Sequence, residues 1–145
     1  MFNLADYLEV ILPTIPEAKK VYKASDITKI EEMLQDIRNT PDCLIISRET
    51  GDGHLNLRDR ALDTGYHNFF VLQRAQTANS DSRHEAKKKA MNVALKIFRK
   101  MRSDAMDFGD PCYGVDFSKI DYMGHGPIGA DYHGYSFFIL VEQGI

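Results

Sequence analysis

Apolar residues recur at helical spacing in three segments of the chain. In the first, residues 4–12, leucine and isoleucine line one face behind Asn3, a favoured N-cap residue, and Pro13 predicts its end. The second follows Ser25 or Asp26 as its cap and carries an apolar stripe as far as residue 37. The third, about 82–105, has the longest stripe and is expected to pack on a sheet; the stripe comprises Ala86, Ala90, Val93, Ala94, Ile97, Phe98 and Met101.

Runs of branched and aromatic residues between these helices predict strands. Residues 19–24 and 43–49 are a short and a longer candidate. The run at 69–75 is apolar on both faces at its start, which predicts an interior position in the sheet, and the run at 135–142 is also apolar on both faces. In 115–123 the alternation slips by one residue between Phe117 and Ile120, as a β-bulge would produce.

Glycine- and proline-rich segments mark the connections. The polar stretch 50–68 predicts either a long hairpin connection or a mobile loop, and 107–114 and 124–134 predict turns. The resulting order is α-β-α-β-β-α-β-β. It predicts one α+β domain over 1–145, with helices packed on a mostly antiparallel mixed sheet.

Composition is that of an ordinary globular chain, with 43% apolar and 27% charged residues. No apolar run approaches the ~20 residues that cross a bilayer, so we expect no membrane partner. The first 16 residues place two acids within their apolar part and are a poor match to a signal peptide. Cys43 and Cys112 are too few for a disulfide framework, and we expect both to be buried in a protein of the reducing cytoplasm.

Charge is distributed unevenly along the chain. Residues 83–102 hold eight Lys or Arg and one acid, a net charge of +7, whereas the whole chain has 18 basic and 21 acidic residues. The remainder therefore has 10 basic and 20 acidic residues, a net charge of −10. The third helix thus combines an apolar face with a strongly basic one.

Three interpretations of the basic face are open. It is a solvated surface with cations suitably near a helix C-terminus, a surface that meets acids of a neighbouring subunit, or the phosphate-binding surface of a nucleic-acid-binding module. The lack of interleaved aromatics weakens the last interpretation for single strands. A membrane-surface role is disfavoured because the apolar stripe is needed for the core. The residues concerned are Lys88, Lys89, Lys96, Arg99 and Lys100.

Candidate catalytic motifs fail on their context. "GHGPIG" at 124–129 matches G-x-G-x-x-G, but a strand follows it and Pro127 lacks an amide donor, so we interpret it as a hairpin loop. "RHEAK" has half of H-E-x-x-H, with Lys88 in place of the second histidine. No P-loop and no G-x-S-x-G elbow occurs. We therefore predict no enzyme, no catalytic residue, no metal and no cofactor.

A small metal-dependent hydrolase is kept as a third hypothesis. His125, Asp131 and His133 lie close together in the sequence, and carboxylate with imidazole suits a transition metal. Their spacing matches no established ligand pattern. Asp59 and Asp63 are spaced to share a helical face, but the arginines beside them favour solvated charge pairs.

The C-terminal part of the chain resembles a known family. A long charged helix, preceded by "HNFFVLQRA" and followed by "VDFSKIDYMGHGPIGADYHGYSFFILVE", resembles the tail-terminator or tail-completion proteins of tailed bacteriophages and prophages. In those proteins the corresponding end is a strand, a Gly/Pro loop and a Tyr/Phe-rich last strand. The resemblance spans roughly residues 43 to 142 in the order of elements.

The resemblance implies a non-enzymatic structural protein that forms a homo-oligomeric ring, commonly of six subunits, at the end of a tail tube near the head–tail joint. It implies tail-tube or head–tail connector proteins as partners, and a location in the bacterial cytoplasm during assembly and then in the virion. The contrast between +7 and −10 suits head-to-tail contacts, and the polar stretch 50–67 suits contact with a neighbour. The predicted interface residues are Lys88, Lys89, Lys96, Arg99, Lys100, His54, Arg58, Asp59, Arg60 and Asp63.

Overall fold

A computed structural model describes residues 2–37, 40–58, 61–129 and 131–144. It has three helices, α1 (Leu4–Ile11), α2 (Ile27–Asp36) and α3 (Ser80–Asp104), and six strands, β1 (Val21–Ala24), β2 (Leu44–Arg48), β3 (Gly53–Asn56), β4 (Leu62–Arg74), β5 (Asp121–Ile128) and β6 (Tyr132–Gly144). Short 3-10 turns lie at Leu12–Thr14 and Pro111–Gly114. The predicted α+β class is confirmed.

The six strands form one mixed sheet in the order β1-β2-β4-β6-β5, with β3 beside the first part of β4. Only β1 and β2 run parallel, and every other pair is antiparallel. Strand β4 lies inside the sheet, because β6 pairs with it from Leu62 to Arg74 and β2 pairs with it on the other side. The predicted interior position of this strand is confirmed.

Helices cover the two faces of the sheet unequally. Alternate residues of β4, Phe69 and Val71, belong to the core under α1 and α3, and we call this side the α3 face. Their neighbours Phe70 and Leu72 belong to a smaller core under α2, on the α2 face. Because strand side chains alternate, one strand supplies both cores.

The starts of α1 and α2 agree with the predicted caps, and Asn79 caps α3. The side chains of Asn3, Asp26 and Asn79 each accept a hydrogen bond from the backbone N–H three residues on, which satisfies a donor of the first helical turn. Helix α1 ends at Ile11, and a 3-10 turn containing Pro13 follows. These local signals placed the helices within a few residues of their predicted bounds.

The stretch 50–68 is a hairpin, the first of the two predicted alternatives. Strand β3 pairs with the first part of β4, with Gly53 opposite Gly65 and Asn56 opposite Leu62. Strand β4 therefore begins seven residues before the predicted start at residue 69. The predicted strand was too short because the first part of β4 has few apolar residues. Its strand conformation is fixed by pairing with β3 and β6.

The predicted strand at 115–123 is wrong in its bounds. Residues 116–120 include a turn in which the Asp116 carboxylate accepts from the Ser118 N–H at 3.0 Å and its Oγ at 2.6 Å, and only Val115 bridges to β6. The slip at Phe117 is therefore turn chemistry, not a bulge. The register instead shifts between His125 and Ile128.

The predicted hairpin loop "GHGPIG" is also corrected, since most of it lies in β5, which ends at Ile128. Gly126 has a φ of 153°, and a Cβ there would collide with the ring of His133, so this strand position requires glycine. Strand β6 begins at Tyr132, so the connection between the two strands is shorter than predicted.

Candidate functional site

The basic helix α3 docks on the sheet through its predicted apolar stripe. Every member of the stripe is buried except Phe98, which is half-buried. The Phe98 ring lies 5.6 Å from that of Phe69 and 5.5 Å from that of Phe137, measured between centroids. This face of α3 is therefore unavailable to any partner.

Three of the predicted interface lysines have partners within their own chain, along one flank of α3. The Lys96 Nζ lies 2.5 Å from Glu17 Oε2, and this hydrogen bond lowers the pKa of Glu17 below its usual value. The Lys100 Nζ lies 2.9 Å from Asp104 Oδ1, and the Lys89 Nζ lies 3.4 Å from a backbone carbonyl oxygen of the 40–43 segment. Of these three contacts, the Lys100–Asp104 pair at i and i+4 follows from helical spacing, whereas the partners of Lys96 and Lys89 are distant in sequence.

A second set of residues on α3 faces outward, and we call it the outer stripe. Its members recur three, four or seven residues apart and continue just past the end of the helix: Lys88, Leu95, Arg99, Arg102 and Met106. No described carboxylate forms an ion pair with its three cations. Met106 is 87% exposed, and Phe108 beyond it is 80% exposed. The outer stripe is thus basic and apolar together.

The hairpin arm formed by β3 and the start of β4 carries the other predicted interface residues. All of β3 is exposed, including His54 and Leu55, and Leu57 at the tip is also exposed. The Arg58 N–H donates to Asn56 Oδ1 at 3.1 Å. Asp63 is half-buried on a strand, so the helical pairing with Asp59 does not apply. Asp59 and Arg60 lie outside the described residues.

The sheet has an exposed apolar surface that the sequence analysis did not identify. Beyond α2 the α2 face continues uncovered, and we call this part the open half-sheet. Its apolar members are Tyr66, Met123, Phe138 and Leu140, of which the first three are exposed and the last is half-buried. Asp121 and Glu142 lie on the same face. The available signal was the final strand, which is apolar on both faces.

The sheet separates the histidines of the predicted metal site. His125 lies on the α2 face, where its Nε2 is 2.7 Å from Ser136 Oγ and its ring is 5.0 Å from that of Phe70. His133 lies on the α3 face, 3.2 Å from Thr77 Oγ1. Asp131 pairs with Arg74 at 3.3 Å. In the described part of the chain no three His, Cys, Asp or Glu side chains are placed to hold a metal ion.

A cleft of ≈ 630 Å³ lies between α1, the end of α3 and the Pro111–Gly114 turn. At its side the Tyr7 hydroxyl donates to Asp104 Oδ2 at 2.7 Å, and burial raises the pKa of Tyr7 above its usual value. Burial also raises the pKa of Cys112 to about 12 and that of Cys43 to about 11. Both thiols stay protonated at neutral pH and pack as small apolar groups, as predicted.

Comparison with known proteins assigns no family to the chain. No family model matches it, and no curated protein is significantly similar to it. None of the helices in the described ranges has the length and apolar content that crossing a bilayer requires. The surfaces defined above are therefore the basis for assigning a function.

Proposed function

We propose that this chain is a non-enzymatic structural assembly protein that forms a ring by head-to-tail contacts, as a phage or prophage tail terminator or head–tail joining component. The observation that carries the proposal is the outer stripe of α3. Its cations Lys88, Arg99 and Arg102 have no carboxylate partner among the described residues, while the chain outside 83–102 has a net charge of −10. Another copy of the chain supplies the missing acids.

Exposed apolar groups support the same function. Met106 and Phe108 at the end of α3, and Leu55 and Leu57 on the hairpin arm, are large hydrophobic residues in water. Residues of this kind grouped beside charges are typical of protein–protein contact surfaces. They lie on two separate elements, which is the arrangement that a subunit with a neighbour on each side requires.

The nucleic-acid-binding module is the second candidate. It would use the same outward cations as phosphate ligands, since Lys88, Arg99 and Arg102 lie along one side of α3. Contacts within the chain already engage Lys89, Lys96 and Lys100, which leaves a smaller basic surface than the sequence indicates. The metal-dependent hydrolase is disfavoured because its two histidines lie on opposite faces of the sheet.

Light scattering coupled to size exclusion, at low and high salt, tests the proposal. We expect multiples of the 16.5 kDa chain at low salt, rings in negative-stain images, and partial dissociation at high salt. The double variant Lys88→Glu with Arg99→Glu should be monomeric. A strict monomer at high protein concentration, with no rings even beside tail-tube protein, would contradict the proposal. Loss of salt-dependent DNA binding in the variant would favour the second candidate.

A further inference from the structure

The open half-sheet is the second surface of the proposed head-to-tail contact. We infer that it binds the outer stripe of α3 from the next copy of this chain, an inference that rests on the proposed assembly. The contact would place Leu95, Met106 and Phe108 of one copy on Tyr66 and Phe138 of the other.

The first reason is the uneven cover of β6. On the α3 face its residues Phe137, Ile139 and Val141 are at most 2% exposed. On the α2 face Phe138 is 37% exposed and Leu140 is half-buried, although both are as apolar as their neighbours. A sheet face of this composition is normally packed against another layer. The chain provides that layer, α2, over only half of the face.

The second reason is that the chain cannot cover this surface with its own basic helix. Helix α3 packs on the opposite face of the same sheet, through residues such as Ala90 and Ile97 that contact the core of β4 and β6. The outer stripe points away from that sheet because it lies opposite the buried stripe of α3. The two surfaces therefore meet only between copies, and a contact between unlike surfaces closes a ring or extends a filament.

The third reason is chemical and dimensional complementarity. The outer stripe interleaves apolar residues with Arg99 and Arg102, and the open half-sheet presents apolar residues beside Asp121. From Leu95 to Asp104 helix α3 rises about 14 Å, and from Phe138 to Glu142 strand β6 rises about 13 Å. Arg48, which lies on the same face, donates a hydrogen bond from its Nε to Asn68 Oδ1 at 2.8 Å.

Two variants, each defective in one surface, test the inference. The donor variant is Arg99→Glu with Met106→Ser, and the acceptor variant is Asp121→Asn with Phe138→Ser, so that the two altered surfaces do not form a reversed charge pair when mixed. Each alone should be monomeric under conditions in which the unmodified chain forms rings. Mixed at equal concentration they should give a 1:1 dimer of about twice the 16.5 kDa chain mass, because one intact donor then faces one intact acceptor. The matched control is Ile27→Ser on α2, since Ile27 is as exposed as Tyr66, both at 43%.

The outcomes separate this inference from the proposed function. If the unmodified chain is monomeric, the proposed assembly fails. If it forms rings and both variants also form rings, the assembly stands and the inference is overturned. If the acceptor variant forms no rings but the donor variant still does, the open half-sheet binds a surface other than the outer stripe. The inferred pairing is then overturned as well. Circular dichroism checks folding, and Met123→Ser replaces Phe138→Ser if the latter unfolds.

Discussion

The two faces of the sheet are covered to different extents, although the residues of β6 are apolar on both faces. Phe137 and Phe138 are adjacent in β6, yet the first is 2% exposed beneath α3 and the second is 37% exposed on the opposite face, where α2 does not cover the sheet. On the α3 face β4 is buried from Phe69 to Gln73 and β6 from Phe137 to Val141, whereas on the α2 face β6 is exposed or half-buried from Phe138 onward. The sheet therefore has apolar residues that no helix of the same chain covers.

The largest expected effect comes from replacing these two phenylalanines. Phe137→Ala should lower the free energy of unfolding by about 3–5 kcal/mol, because it removes a ring packed against Phe69 and Phe98 and leaves a cavity. Phe138→Ala should cost about 1 kcal/mol, since the open half-sheet has no cavity to leave. Urea denaturation of dilute protein at high salt, where assembly is weakest, measures both losses.

Of the same two variants, the one that loses less stability, Phe138→Ala, should lose more assembly. At a protein concentration where both variants are folded, Phe138→Ala should shift size-exclusion elution toward the monomer, and the folded fraction of Phe137→Ala should not. Equal losses of stability for the two variants would show that the faces are equally packed, and the distinction between them would then be wrong.

Local signals in the sequence were sufficient for the helices. Caps such as Asn3 and Asp26 act within three residues, and the stripe of α3 is set by its own spacing, so the sequence contains all that defines them. The strands at the C-terminal end were placed less well. Around Phe117 the alternation of apolar residues arises from a turn at Asp116, and the glycine-rich β5 is held in the sheet by β6.

The candidate surfaces depend on long-range contacts that spacing does not encode. Lys96 and Lys88 are both basic residues of one helix, but the acid that engages Lys96 is Glu17, 79 residues away in sequence. The apolar second face of β6 was visible in the sequence. Whether that face is covered depends on which part of the sheet α2 packs against, which is a tertiary property.

A histidine on each face of the sheet makes stability depend on pH. Burial, with the charge of Lys87, lowers the pKa of His133 on the α3 face and of His125 on the α2 face below 6.5. The unfolded chain then binds protons at a higher pH than the folded chain. The free energy of unfolding should be at its full value about one pH unit above 6.5, and it should fall as the pH drops through 6.5 toward 5.

Urea denaturation at pH 7.5, 6.5 and 5.5 checks this pH dependence. His133→Gln and His125→Gln should each flatten the fall, one from each side of the sheet. His54→Gln, at an exposed hairpin position, is the matched control and should leave the fall unchanged. Stability that is constant or rises between pH 7 and 5 would contradict the buried, neutral state of both rings.

The smallest expected effect is the difference in stability between replacing a lysine of α3 that has a partner within the chain and replacing one of the outer stripe. Lys96→Met should lower the free energy of unfolding by about 0.5–1 kcal/mol, because it removes the partner of Glu17, whose Oε1 is buried and accepts no hydrogen bond from described residues. Lys88→Met should leave stability unchanged and weaken only assembly, since Lys88 has no partner among the described residues. Salt should diminish both effects. If Lys88→Met destabilised the isolated chain as much as Lys96→Met, its side chain would have a partner within the chain, and the outer stripe would lose one of the cations on which the head-to-tail contact depends.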